Sequence, residues 1–102
     1  MTTRRAKQLV LSTLTAGFVT YATVPGATKW EVTEILVQNG DSGAAHDLRM
    51  RYGGIELVRL SIAALAYQRL VFFTVLKAGD TIEALGATNT HLLVSGIEVT
   101  PV

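Results

Sequence analysis

The sequence predicts an all-β fold, a jelly-roll-like β-sandwich of about eight antiparallel strands. Three observations predict it. Apolar, β-branched and aromatic residues recur in runs of five to eleven, the length of ordinary strands. Turn-forming clusters separate these runs at close, fairly even spacing: Pro25-Gly26, Asn39 to Gly43, Gly53-Gly54, Gly79-Asp80 and Gly86 to Asn89. No segment holds a helical period long enough to make a helix.

Taken in order, Leu9 to Leu14 is the first expected strand, apolar with Ser and Thr interleaved, and Thr15-Ala16-Gly17 breaks it. Phe18 to Val24 is the second, rich in β-branched and aromatic residues. Pro25 then fixes φ for a turn and Gly26 supplies a permissive next position. Thr28 to Gln38 is the third. Trp30 and Val32 share one face and Ile35 and Val37 the opposite parity, so the phase slips near Thr33-Glu34. That slip predicts a bulge, or a strand that passes from one sheet to the other. His46 to Tyr52 alternates cleanly, with Leu48, Met50 and Tyr52 on a dry face and Asp47, Arg49 and Arg51 on a wet one. Gly53-Gly54 turns it into its hairpin partner, Ile55 to Leu60.

Ser61 to Gln68 reads as a loop or a short turn of helix, with Ile62, Leu65 and Ala66 at helical spacing. Leu70 to Leu76 has no charge and both parities are apolar, so it is expected to be a central strand buried on both sides, or nearly so. Arg69 and Lys77 bracket it where charges limit strand addition during folding. Ala78-Gly79-Asp80 is expected to reverse the chain into a hairpin with Thr81 to Leu85. His91 to Val99 is the last strand, and Pro101 stops its pairing.

Length and composition bound the rest. A chain of 102 residues fits one domain, here residues 9–102, preceded by a basic arm over residues 1–8. Apolar residues make up 49% and mean hydropathy is +0.37. A domain this small buries only about 60–65% of its unfolded surface, so this apolar content points to a subunit covered by neighbours. A monomer whose Ala, Val and Leu residues all fit inside is the competing expectation. The run from Gln8 to Thr28 after Arg4, Arg5 and Lys7 has the outline of a secretory leader. Ser12, Thr13, Thr15, Gly17 and Thr20 interrupt it, and Pro25-Gly26 ends it short of a bilayer span of ~20 residues. It reads as two strands instead.

The chemistry is sparse. There is no cysteine, which removes disulfides, thiolate zinc sites and cysteine nucleophiles. Net charge is +1, against a long nucleic-acid-binding stripe. His46 and His91 are the two histidines, and no helical metal-ligand spacing surrounds them. Asp41 with Asp47 could offer a cation oxygen ligands, but a solvated loop is the preferred reading. There is no Gly-x-Ser-x-Gly elbow and no phosphate-loop spacing. No enzymatic activity, cofactor or metal is therefore expected. The candidate partner-binding residues are the arm residues Arg4, Arg5 and Lys7, and Arg49, Arg51 and Arg59, joined by Arg69 if their strands are neighbours. The first set could order on an adjacent subunit or simply fray. The second could dock an acidic partner or simply keep the protein soluble.

The order of motifs resembles small structural proteins of tailed-bacteriophage virions. The resemblance rests on Leu14-Thr15, Tyr21 to Gly26, Trp30 to Asn39, Leu76 to Ile82 and Val94 to Val99. It spans Leu14 to Val99 and leaves out the basic arm and the Ala-rich Ser61 to Gln68. It implies a jelly-roll or related sandwich located in the virion, in a head-decoration, tail or fibre-attachment role. The expected partners are a major capsid protein or other virion subunits, with a homo-oligomer, a trimer by preference, and no direct contact with nucleic acid or membrane. A capsid decoration or cement protein is the first expectation and a tail, baseplate or fibre-adaptor subunit the second. A carbohydrate-binding module is a third, which would need exposed aromatics among Tyr21, Trp30, Tyr52 and Tyr67; Trp30 and Tyr52 are expected to be buried.

Overall fold

A computed structural model describes residues 2–101; Met1 and Val102, the outer ends of the expected arm and domain, lie outside the described residues. Eight strands form: β1 (Thr3–Thr13), β2 (Val19–Thr23), β3 (Lys29–Asn39), β4 (His46–Tyr52), β5 (Ile55–Ile62), β6 (Tyr67–Lys77), β7 (Thr81–Leu85) and β8 (Thr90–Thr100). They make two antiparallel four-stranded sheets, sheet A in the order β1-β8-β3-β6 and sheet B in the order β2-β7-β4-β5. Six of the seven connections pass from one sheet to the other, and β4–β5 alone turns back within its sheet, at Gly53-Gly54. This is the jelly-roll arrangement of a β-sandwich.

The core follows from alternation. Leu48, Met50 and Tyr52 of β4 point inward with Val58 and Ile62 of β5 and Ile82 and Ala84 of β7. Val10, Ile35, Val37, Leu92 and Val94 meet them from sheet A. The phase slip in β3 is a bulge between Val32 and Glu34, so Trp30 and Val32 before it and Ile35 and Val37 after it are all buried. The bulge is one of a row. β3 shifts against the Ser95-Gly96 step of β8, β1 shifts register between Gln8 and Val10 against the adjoining Val94-Ser95 step, and β6 steps from Thr74 to Val71 against β3. Gly96 lies where this row crosses β8. A Cβ there would collide with the Glu31 carbonyl oxygen and stand 2.8 Å from Leu9 Cδ1, so the crowded row has space only for glycine.

Three expectations are corrected. The segment Leu70 to Leu76 is a strand, but β6 lies at the edge of sheet A with one face uncovered. Its two parities are both apolar, and that pattern alone cannot distinguish a covered strand from an edge strand. Second, β6 and β7 are not hairpin partners: β6 belongs to sheet A and β7 to sheet B. The turn between them is tight, with the Asp80 N–H donating to the Lys77 carbonyl, but the Gly79 N–H is taken by Val24 across the sandwich, which directs the chain into the other layer. Third, the basic arm is ordered sheet. Thr3 to Gln8 continue β1 and pair with Thr100 to Ser95, because Arg5 and Lys7 find a carboxylate on β8. The weakly patterned Ser61 to Gln68 resolves into the end of β5, a turn over residues 63–66, and the start of β6.

Candidate interaction surfaces

At one end of the sandwich β1, β8 and β3 bring a charged cluster together. Glu98 of β8 is buried, and its carboxylate accepts hydrogen bonds from Lys7 Nζ at 2.7 Å, Arg5 at 2.9 Å and the Trp30 indole N–H at 3.0 Å. Lys7 also lies 5.5 Å from the Trp30 ring centroid. The Lys7 ammonium and the Trp30 N–H hold the Glu98 pKa down to about 2 against the opposing effect of burial. Arg4 clasps Glu31 through both guanidinium nitrogens, at 2.5 and 3.1 Å, and this lowers the Glu31 pKa.

The outer face of sheet B collects the second predicted group. Arg49 and Arg59 are cross-strand neighbours on β4 and β5, with Glu56 between them: Arg49 Nε donates at 2.7 Å, and Arg59 Nε lies at 3.7 Å. Arg51 stacks 3.7 Å from the Phe18 ring centroid and lies 3.6 Å from Glu83. Arg69 is not part of this face; it is on β6, paired with Glu34 at 2.8 Å. The structure thus unites Arg49, Arg51 and Arg59, keeps Arg4, Arg5 and Lys7 as a separate cluster, and gives each of them a carboxylate within 4 Å. Glu31 and Glu98 offset part of the charge of Arg4, Arg5, Lys7 and Lys29, and Glu56 and Glu83 most of that of Arg49, Arg51 and Arg59, so each surface keeps only a small positive excess.

The surface the sequence did not reveal is the outer face of sheet A. Leu11, Leu93 and Leu36 form a cross-strand row over β1, β8 and β3. Beside it, β6 presents Tyr67, Val71, Phe73 and Val75, which are 68, 77, 66 and 47% exposed. Among the described residues, seven of the nine exposed large apolar side chains lie between Ile55 and Val75, on β5, β6 and the turn between them. A shallow groove of about 190 Å³ runs between Tyr67, Leu36, Gln38, Leu11, Leu93 and His91. Strict exposure of the odd-numbered residues of β6 was invisible because the even-numbered ones are just as apolar.

The remaining candidates are accounted for by packing. Trp30 and Tyr52 are buried, as expected, and Tyr67 is the strongly exposed aromatic of the four considered for sugar binding. The His46 ring lies between Asp41, 3.1 Å from Nε2, and the Thr90 hydroxyl, 2.7 Å from Nδ1. The order carboxylate–imidazole–hydroxyl resembles a nucleophile relay, but Thr90 is 0% exposed and no substrate can reach it. Its role here is to tie the β3–β4 loop to the start of β8. The Gly43 N–H caps Asp41 and, with His46, lowers its pKa. Among the described residues no three His, Cys, Asp or Glu side chains are grouped as metal ligands.

No protein-family model matches the chain, and no curated protein matches it in sequence. Solved structures do. A chain from the acidic stable capsid structure of Helicobacter pylori bacteriophage KHP30 superimposes with a TM-score of 0.60 at 9% identity, covering 100% of this chain and 95% of that one. A family 35 carbohydrate binding module from Clostridium thermocellum gives 0.47 at 13% identity, covering 97% and 92%. A chain of the infectious bursal disease virus Gx strain structure gives 0.45 at 10% identity, covering 97% and 37%. At such identities the likeness is one of fold.

Proposed function

We propose that this chain is a non-enzymatic structural subunit of a virion, acting as a capsid decoration or cement protein that stabilises the head by binding neighbouring capsid subunits. The observation that carries this reading is the outer face of sheet A, with Tyr67, Val71, Phe73 and Val75 uncovered along one strand. Contiguous apolar patches on a small protein mark interaction sites. The fold supports the reading, since a chain of a bacteriophage capsid structure matches this one from end to end. The basic clusters, whose cations are each already paired with a carboxylate of this chain, support it too. Contact would rest on apolar shape, with many individually weak sites summing over a lattice, and would respond little to salt.

The test is the composition of purified particles of the phage that encodes the chain. Quantitative mass spectrometry should find it in high copy number, in a fixed ratio to the major capsid protein. A handful of copies would favour a tail, baseplate or fibre-adaptor subunit. Absence from the particle would overturn the virion reading.

One observation favours a second reading, a carbohydrate-binding module: Tyr67 stands exposed beside the apolar groove, where a sugar ring could stack. A glycan array probed with the wild type and with Tyr67→Ala decides it. A signal lost in the variant supports sugar binding, and no signal from the wild type removes it.

A further inference from the structure

Resting on the reading of this chain as an assembling subunit, we propose that β6 pairs antiparallel with β6 of a second copy across a two-fold axis, joining the two A sheets into one of eight strands.

The first reason is an open edge. Among the described residues β6 has β3 on one side and no strand on the other. It is eleven residues long. Soluble proteins blunt such edges with short strands, proline or charges. The middle of β6, Leu70 to Leu76, has no charge and no proline. The edge devices present are the flanking charges Arg69 and Lys77 and the register step against β3 at Phe72-Phe73, and exposure still alternates without a break from Tyr67 to Val75.

The second reason is self-complementarity. Full overlap of Tyr67–Lys77 with itself puts Phe72 on the axis. Val71 then faces Phe73 of the second copy and Leu70 faces Thr74, while Arg69 faces Val75 rather than another cation. Tyr67 faces Lys77, a pairing suited to a cation–π contact. No like charges oppose one another. The other open edge of sheet A is β1, and a head-to-tail β6–β1 contact fits less well. Continued in register, it would set Lys77 beside the row that holds Lys29 and Arg4. Such a contact also need not close, whereas a two-fold contact does.

The third reason is side-chain pairing. Strand addition leaves the outer face of the joined sheet open, but it sets Val71 beside Phe73 of the second copy on that face, and such cross-strand apolar pairs add to the stabilisation from the backbone hydrogen bonds along the edge.

The experiment uses the full chain. Sedimentation equilibrium over a concentration series should show a monomer–dimer equilibrium, and Val71→Lys with Phe73→Lys should abolish the dimer while leaving the circular dichroism spectrum unchanged. The chain has no cysteine, so Val71→Cys with Phe73→Cys introduces the only thiols. Mild oxidation should trap a covalent dimer, and Leu57→Cys on β5, treated alike, should not. A chain that stays monomeric and does not cross-link would overturn the proposal. So would a trimer, or a dimer that survives the paired lysines. The particle count described above is independent of these results, so a monomer found in the virion would refute β6 pairing and leave the virion reading intact.

Discussion

The indole N–H of Trp30 donates to the Glu98 carboxylate at 3.0 Å, joining the start of β3 to the end of β8 under the cover of Lys7 and Arg5. A buried carboxylate is costly unless it is paired and hydrogen-bonded. Here three donors meet it, and they come from strands nearly the whole chain apart. The cluster therefore ties β1, β8 and β3 together at one end of sheet A, and it makes the basic segment from Thr3 to Gln8 part of the fold.

Glu98→Gln should cost about 1–3 kcal/mol, since it keeps the shape but loses the charge that Lys7 and Arg5 meet. In a domain of this size each kcal/mol lowers Tm by roughly 4–8 °C. The pH dependence has a definite sign. The folded-state pKa is about 2, below the ordinary 4.5. The group therefore stabilises the fold fully above pH 4.5, and that contribution disappears as pH falls towards 2. The Tm gap between wild type and variant should be constant above pH 4.5 and narrow below it. A gap that does not change with pH would show that the ion pairs contribute nothing.

Removing residues 1–8 should destabilise the fold rather than leave it intact. The deletion strips half of β1 from β8 and leaves Glu98 without Lys7 and Arg5. Losing two charge-assisted hydrogen bonds alone is worth about 3 kcal/mol or more. Urea unfolding of the truncated chain measures it, and an unchanged midpoint would show that β1 before Leu9 is dispensable.

Gly96→Ala should cost about 3 kcal/mol or more, because the obstacle to the added methyl is the Glu31 backbone carbonyl in the bulge row. Gly86→Ala should cost less. Its obstacle is the buried Leu14 side chain, with Cδ1 at 2.7 Å and Cβ at 2.9 Å, a milder overlap than the one with the Glu31 carbonyl. Thermal melts of the two variants compare them directly, and equal losses would count against the crowded bulge row.

Neighbouring phenylalanines should behave in opposite ways. Phe72 is half-buried and its ring centroid lies 5.6 Å from that of Tyr52, so Phe72→Ala should cost about 2–4 kcal/mol. Phe73 points away from the core, and Phe73→Ala should change the monomer's stability by no more than about 0.5 kcal/mol. Chemical denaturation at concentrations too low for association separates the two. Similar large losses at both positions would mean that β6 is covered on both faces.

Local pattern made much of this molecule readable. The clean alternation of Leu48, Met50 and Tyr52 marked the inner face of β4, and the slip at Thr33-Glu34 marked the bulge of β3. The glycine pair at 53–54 marked the one hairpin within a sheet. These are short-range signals, each carried by residues within one strand or turn. The candidate surface was less readable. Arg49 and Arg51 are legible as one wet face of β4, but their pairing with Glu56 and Glu83 is not, because those carboxylates come from β5 and β7, which become neighbours of β4 only in the assembled sheet.

The sequence by itself determined the class of fold: side-chain period and turn chemistry are local, and they fix that the chain makes eight strands in two layers. Tertiary structure alone decided which strand stands beside which. It put β6 at an edge with Val71 and Phe73 uncovered, sent β7 to the other sheet, and drew Thr3 to Gln8 onto β8. The physical reason is that a strand with two apolar faces satisfies its own pattern equally well in the middle of a sheet or at its rim. Only the competition of all eight strands for neighbours, settled by contacts such as Trp30 with Glu98, chooses between them.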